Sequence, residues 1–241
     1  MEAFLLHIVK ATICLTLFYI FVKALLTNET FFRFNRVILL TGCIICFILP
    51  FIDIRLTETS ALQAPFIQLE EVIMYQPAAT EGIEFADQQP TTASREADIM
   101  PIHWATLIFC IYIAGLIINL IILFRSYLAM INIIRRARKY PYKGYMLVLV
   151  DTEISPFSWK NYIVMTKNDF KNHSVEIIAH EIAHLNHRHS RDIIFMECII
   201  LLQWFNPAAW LLKRELKDIH EYQADTSVLQ SGIDATTYQL L

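Results

Sequence analysis

Charge is scarce in this 241-residue chain. Asp, Glu, Lys and Arg make up 18% of it and apolar residues 56%, against about 25% and about 45–50% in soluble domains. That balance excludes an ordinary soluble domain. A net charge of −3 supplies no basic surface for a polyanion, so direct nucleic-acid binding is not expected. Cysteine is sparse as well, and Cys14, Cys43, Cys46, Cys110 and Cys198 all fall inside apolar runs. Cys43 and Cys46 form a C-x-x-C, a pattern used for redox or metal chemistry. Thiols without an electropositive setting are inert, so the pair reads as two small apolar residues of a membrane helix.

The missing charge leaves three long apolar runs: Ala3 to Leu26, Val37 to Ile54, and Ile102 to Phe124. Each reaches the roughly 18–25 residues that cross a bilayer as a helix. The first run lacks a basic start and a following small-residue cleavage site, so it does not read as a signal peptide. Basic residues orient the spans. Lys23, Arg33 and Arg36 flank the first short link, and Arg125, Arg135, Arg136, Arg138, Lys139 and Lys143 follow the third run. Both stretches are expected to be cytoplasmic. Between Leu56 and Met100 stand eight acids and one base, Arg95, without periodicity. This segment is expected to be an extracytoplasmic, partly disordered loop. The N-terminus is then outside. The expected organisation is two membrane helices in 1–55, an acidic loop in 56–101, a third membrane helix with a cytoplasmic extension in 102–139, and a cytoplasmic domain in 140–241.

In that domain the third helix is expected to run to about Lys139 and to end before Pro141 and Gly144. Tyr145–Val150 and Asn161–Thr166 read as two strands of a small β-hairpin. The hairpin either offers an edge for an extended substrate or only supports the helix that follows. Asn172 or Ser174 is expected to cap that helix, with Glu176 in its first turn.

The helix carries His180-Glu181-Ile182-Ala183-His184. Residues four apart project from one helical face, so the two imidazoles can meet one ion, zinc being the metal such a pattern suits. Glu181 can then act as general base on a water at that ion. A catalytic zinc also needs a third protein ligand and one open position. A metzincin would have Gly at position 187 and His at position 190; the chain has His187 and Ser190, and that reading fails. Glu221-Tyr222-Gln223-Ala224-Asp225 offers Glu221 as third ligand and Asp225, one turn on, as acceptor for the second ring N–H of a ligating His. The metal ligands are therefore expected to be His180, His184 and Glu221. His184 and Glu221 must then lie on one side of the membrane. The apolar stretch Ile193–Leu212 between them is broken by Asn206-Pro207, and the half before the break spans only roughly 20 Å as helix. It is expected to form a re-entrant helical hairpin, 192–219, that dips into the membrane and returns. Trp204 and Trp210 sit either at an interface or in the core.

The motifs H-E-I-A-H-L-N-H-R-H-S-R-D, Q-W-F-N-P-A-A-W-L-L-K-R-E-L and H-E-Y-Q-A-D resemble the BlaR/MecR-type membrane zinc metallopeptidases. Thr30-Phe-Phe-Arg-Phe-Asn-Arg36 and the apolar run after it are similar to the Bacteroidota branch of that family. The resemblance covers nearly the whole chain. It implies a mainly α, integral membrane protein with a gluzincin-type zinc metalloprotease domain, in which His180, His184 and Glu221 hold the metal and Glu181 is the catalytic base. It also implies a regulatory role in the bacterial inner membrane, with a protein substrate such as a transcriptional repressor; a homodimer is compatible with it. In the best-known relatives an extracytoplasmic domain senses a β-lactam. No penicillin-binding Ser-x-x-Lys with its partner motifs occurs here, so β-lactam sensing does not carry over. The family usually continues beyond the point that corresponds to Leu241, so a truncated chain or a short member relying on a partner is expected.

His220, His187, His189 and Tyr222 are candidates to stabilise an oxyanion, and Asp192 to hydrogen-bond His189 or cap the hairpin. Two other functions compete. A non-proteolytic receptor or scaffold with a structural zinc would have no need of Glu181 and would fill the fourth position with Cys or His. A transporter would need several polar groups at mid-membrane, where Glu197 is the main one.

Overall fold

The computed structural model describes residues 2–25, 31–52 and 104–233. The acidic loop expected over 56–101 and the residues from 234 onward lie outside them.

Helices α1 (Glu2–Leu25), α2 (Phe32–Ile48, followed by a 3₁₀ turn at Leu49–Phe51) and α3 (Trp104–Arg136) begin the fold. All three are long and apolar enough to cross a membrane. They turn large apolar side chains outward, among them Leu6, Val9, Ile13 and Leu17 on α1 and Ile108, Ile111, Ile118 and Ile122 on α3. So much exposed apolar surface is not stable in water, and hydrocarbon covers it at no cost. Small residues bring the helices close. A Cβ on Gly42 would stand 2.1 Å from Phe18 of α1, so only glycine permits that approach. Cys43 and Cys46 are free thiols packed in the core that α1 and α2 share with later helices.

The polar part opens with strands β1 (Arg138–Tyr142), β2 (Tyr145–Val150), β3 (Phe157–Trp159) and β4 (Tyr162–Thr166). They form one sheet in the order β1-β2-β4-β3. This corrects the expected hairpin: β2 and β4 pair in parallel, with Met146 opposite Tyr162 and Val150 opposite Thr166. The hairpins are instead β1–β2, closed by Lys143 and Gly144 at φ 46° and 89°, and β3–β4. A two-residue turn with positive φ at both positions matches strand twist, which is why Gly144 suits it. The third membrane helix ends at Arg136 rather than near Lys139, and Pro141 lies within β1. β1 is an edge strand, where a missing N–H is tolerated.

Helix α4 (Lys167–Asn172) is capped by Thr166, whose hydroxyl accepts from the Asp169 N–H. Helix α5 (Ser174–His187) carries the histidine motif. It starts without the side-chain cap expected from Asn172 or Ser174. It ends at Arg188, a non-glycine in the left-handed region (φ 58°, ψ 36°), which turns the chain into α6 (His189–Leu202). Gln203 to Asn206 then reverse it into α7 (Pro207–Gln230), with Asn206 as N-cap and Pro207 in the first turn. The pairs Asp192–His220 and Glu197–Lys213 and the Trp210 indole donating to the Trp204 carbonyl set α6 and α7 antiparallel. The apolar stretch is thus a helical hairpin that reverses at the break before Pro207.

Its tip is held between the candidate membrane spans α1 and α3. Gln203 and Asn206 are buried. The Gln203 amide donates to the Ile8 carbonyl at 3.3 Å, and Gln203 Oε1 lies 2.8 Å from Thr12 Oγ1. Asn206 donates to the Thr12 carbonyl at 3.4 Å. On the other side the Tyr112 hydroxyl of α3 donates to the Leu202 carbonyl at 2.9 Å. The Tyr112 bond satisfies a carbonyl at the end of α6, and the others give the buried Gln203 and Asn206 side chains partners on α1, as an apolar setting requires.

Candidate metal centre

His180 and His184 lie one turn apart on α5, and Glu221 reaches them from α7. The two helices pack directly against each other. His180 Nε2 and His184 Nε2 are 2.9 Å apart; Glu221 Oε2 lies 3.2 Å from the first and 3.6 Å from the second. Ligand atoms set tetrahedrally at about 2.0–2.1 Å from one ion stand about 3.3–3.4 Å from each other. The three donors therefore have the chemistry and the spacing of a three-ligand metal site. Asp225, one turn beyond Glu221, lies 3.2 Å from His180 Nδ1 through its Oδ1.

The electrostatics follow from these contacts. Burial would lower the His180 pKa, but the hydrogen bond to Glu221 and the charges of Glu181, Glu221 and Asp225 outweigh it, and the ring holds a proton more firmly than usual. Glu221 moves the other way: the hydrogen bond from His180 and the nearby His184 ring depress its pKa against the effect of burial. Glu181 is buried, and burial raises its pKa despite a hydrogen bond from Ser158 and the charges of both histidines. A raised pKa makes the carboxylate a stronger base than an exposed glutamate.

A cleft of about 350 Å³ opens onto the cluster. Phe157, Ser158 and Trp159 of β3 form one wall, α5 supplies His180, Glu181 and His184, and Ile193, Lys217 and Glu221 close the far side. β3 is the second edge of the sheet and packs on α5. Lys217 is a cation in this wall that spacing alone did not single out; standing one turn before Glu221, it was findable only once α7 was known to run past the site.

The other candidates are placed as follows. His189 sits behind His184, with Nδ1 to Nδ1 at 2.8 Å, and its Nε2 is 3.1 Å from Gln223 Oε1. His220 stacks on His189 at 4.0 Å and 9°. Asp192 pairs with His220 and Arg36 rather than with His189, one of the two roles open to it from sequence. His189 stands one turn before Asp192 on the same face of α6, but its two ring nitrogens face Gln223 and His184, and α7 brings His220 to the acid. His187 bonds Ser227, and Tyr222 stacks on Phe32; neither lines the cleft. Burial, then the charge of His220, pushes the His189 pKa down to about 3. Arg36, on a membrane helix, was read only for its sign, and no local pattern announced its place here.

No protein-family model matches the sequence, and no curated protein matches it.

Proposed function

We propose that this chain is a membrane-embedded zinc metalloendopeptidase with His180, His184 and Glu221 as ligands and Glu181 as general base. One observation carries the reading: two imidazole nitrogens and a carboxylate oxygen converge on one point, with Glu181 buried beside them on the floor of an open cleft. Zinc bound there would supply a Lewis acid for the scissile carbonyl and acidify the attacking water. Glu181 takes the proton from that water and hands it to the leaving amine, which its raised pKa favours. Asp225 holds the Nδ1 proton of His180 and so directs Nε2 to the metal. The open edge of β3 accepts an extended peptide by backbone hydrogen bonds.

The metal centre lies at the end of the bundle where α1 finishes and α2 begins, since Lys23 pairs with Glu215 and Arg36 with Asp192. With basic residues cytoplasmic, the N-terminus is outside, the site faces the cytoplasm, and 192–219 dips into the bilayer. By its resemblance to the BlaR/MecR-type peptidases, the protein transduces a signal across the bacterial inner membrane by cleaving a cytoplasmic or membrane-adjacent protein such as a transcriptional repressor.

Metal analysis and a peptide-cleavage assay on the purified full chain test this. The wild type is expected to hold one zinc and cleave; Glu181→Gln keeps the zinc and loses cleavage; His184→Ala loses both. Full cleavage by the Glu181 variant, or a wild type without metal, overturns the reading.

A further inference from the structure

Arg36 stands at the start of α2, where its charge suffices to explain a place at the cytoplasmic rim. Its contacts go further. The guanidinium is largely buried and makes three bonds into the peptidase part. Nε donates to Asp192 Oδ2 at 2.6 Å, Nη2 to the His187 carbonyl at 2.8 Å, and Nη1 reaches Gln223 Oε1 at 3.4 Å. His187 is the last residue of α5, so Arg36 also places a cation at the carbonyl end of the metal-bearing helix, where the helix dipole favours it.

The donor and acceptor order runs from Arg36 to His184. Arginine carries only donors, so the Gln223 atom that faces it must be the oxygen. The same oxygen lies 3.1 Å from His189 Nε2 and must accept a proton from it. His189 Nδ1 is then an acceptor. Its partner at 2.8 Å is His184 Nδ1, which must therefore carry the hydrogen. A neutral imidazole protonated on Nδ1 presents its lone pair on Nε2, the atom in the three-donor cluster. Asp192 supports the same alignment from the far side, since it holds His220 at 2.9 Å and His220 stacks on the His189 ring.

We propose that Arg36 is a positioning residue for the metal ligand His184: through Gln223 and His189 it fixes which ring nitrogen His184 offers to the ion. This rests on the metal-site reading above. It ties the start of a membrane helix to a metal ligand, so a displacement of α2 changes the quality of the metal site.

The test uses the full chain in nanodiscs with Co²⁺ alone as the probe. Affinity comes from chelator competition, and the visible absorption bands report coordination geometry. Arg36→Gln is expected to weaken Co²⁺ binding about ten- to hundredfold and to shift the bands. Arg36→Lys restores the charge without the planar fork and recovers only part. Gln223→Met leaves the Arg36–Asp192 pair in place and is expected to give the same loss, which keeps the test decisive if Arg36→Gln fails to fold. Lys23→Gln breaks a second ion pair between an N-terminal helix and the hairpin and is expected to leave affinity and bands unchanged. Wild-type Co²⁺ binding in folded Arg36→Gln or Gln223→Met, or an equal loss in Lys23→Gln, overturns the positioning role and leaves the metal site standing. A wild type that binds no Co²⁺, or a His184→Ala variant that binds it normally, overturns both.

Discussion

His180 Nδ1 lies 3.2 Å from Asp225 Oδ1 while its Nε2 lies 3.2 Å from Glu221 Oε2, so one ring is gripped by two carboxylates one turn apart on α7. The arrangement fixes the tilt of the ring and favours its protonated form; with a metal on Nε2, Asp225 would hold the remaining proton on Nδ1. Replacing Asp225 with Ala is expected to reduce zinc affinity about ten- to hundredfold, measured by competition with a chromophoric chelator. Asp225→Asn, which keeps an acceptor oxygen, should lose less. Equal affinity in the Ala variant and the wild type would remove Asp225 from the site.

The buried His189 makes the metal-free protein sensitive to acid. Its pKa is about 3 in the folded chain against an ordinary 6.5. Between those values the unfolded chain holds a proton that the folded one does not. By linkage, this stability is complete above about pH 6.5 and is lost as pH falls toward about 3, at up to about 1.4 kcal/mol per pH unit. The melting temperature of the metal-free protein should drop between pH 7 and pH 5. In His189→Gln that drop should be smaller; an unchanged slope would exclude His189 as its source.

Gly115 of α3 faces the hairpin tip so closely that a Cβ there would stand 2.2 Å from the Trp204 ring. Gly115→Val must therefore push the indole aside, an overpacking that costs about 1–3 kcal/mol. The expected readout is a lower melting temperature together with a changed Trp204 fluorescence environment, read in a background where the other tryptophans are replaced. No loss of stability would mean that the tip does not dock on α3.

Arg188 is exposed and holds a left-handed conformation at the end of α5. An L side chain there costs roughly 1–2 kcal/mol. Arg188→Gly relieves this, offset by the greater freedom of glycine in the unfolded chain. A net gain of about 1 kcal/mol or less is expected, seen as a modest rise in melting temperature with zinc content unchanged. A fall would show that the Arg188 side chain contributes more than its backbone costs.

The elements legible from sequence are those whose information is local. Residues four apart on a helix share a face whatever surrounds them, so His180 with His184 and Glu221 with Asp225 could be paired before the fold was known. Asn206-Pro207 carries a cap and a helix start in two adjacent residues, so the reversal was legible too. The sheet was not. Tyr145–Val150 and Tyr162–Thr166 were recognisable as strands, but whether they pair antiparallel or parallel depends on the short strand Phe157–Trp159 between them, three residues with little pattern of their own. The end of α3 was misplaced for a similar reason: the helical spacing fades at Arg136, and the pairing of Arg138–Tyr142 with β2 competes for the residues that follow.

By itself the sequence determined three apolar helices, a helix with two histidines and a glutamate on it, and a break in the last apolar stretch, because each depends only on composition or on spacing within a turn or two. The tertiary structure alone decided that β2 and β4 pair in parallel, that β3 walls the cleft, and that Arg36 reaches His184 through Gln223 and His189. Those contacts join residues up to 187 positions apart. No local preference encodes them; they exist because the packing of α5, α6 and α7 against α1 and α2 brings these side chains together.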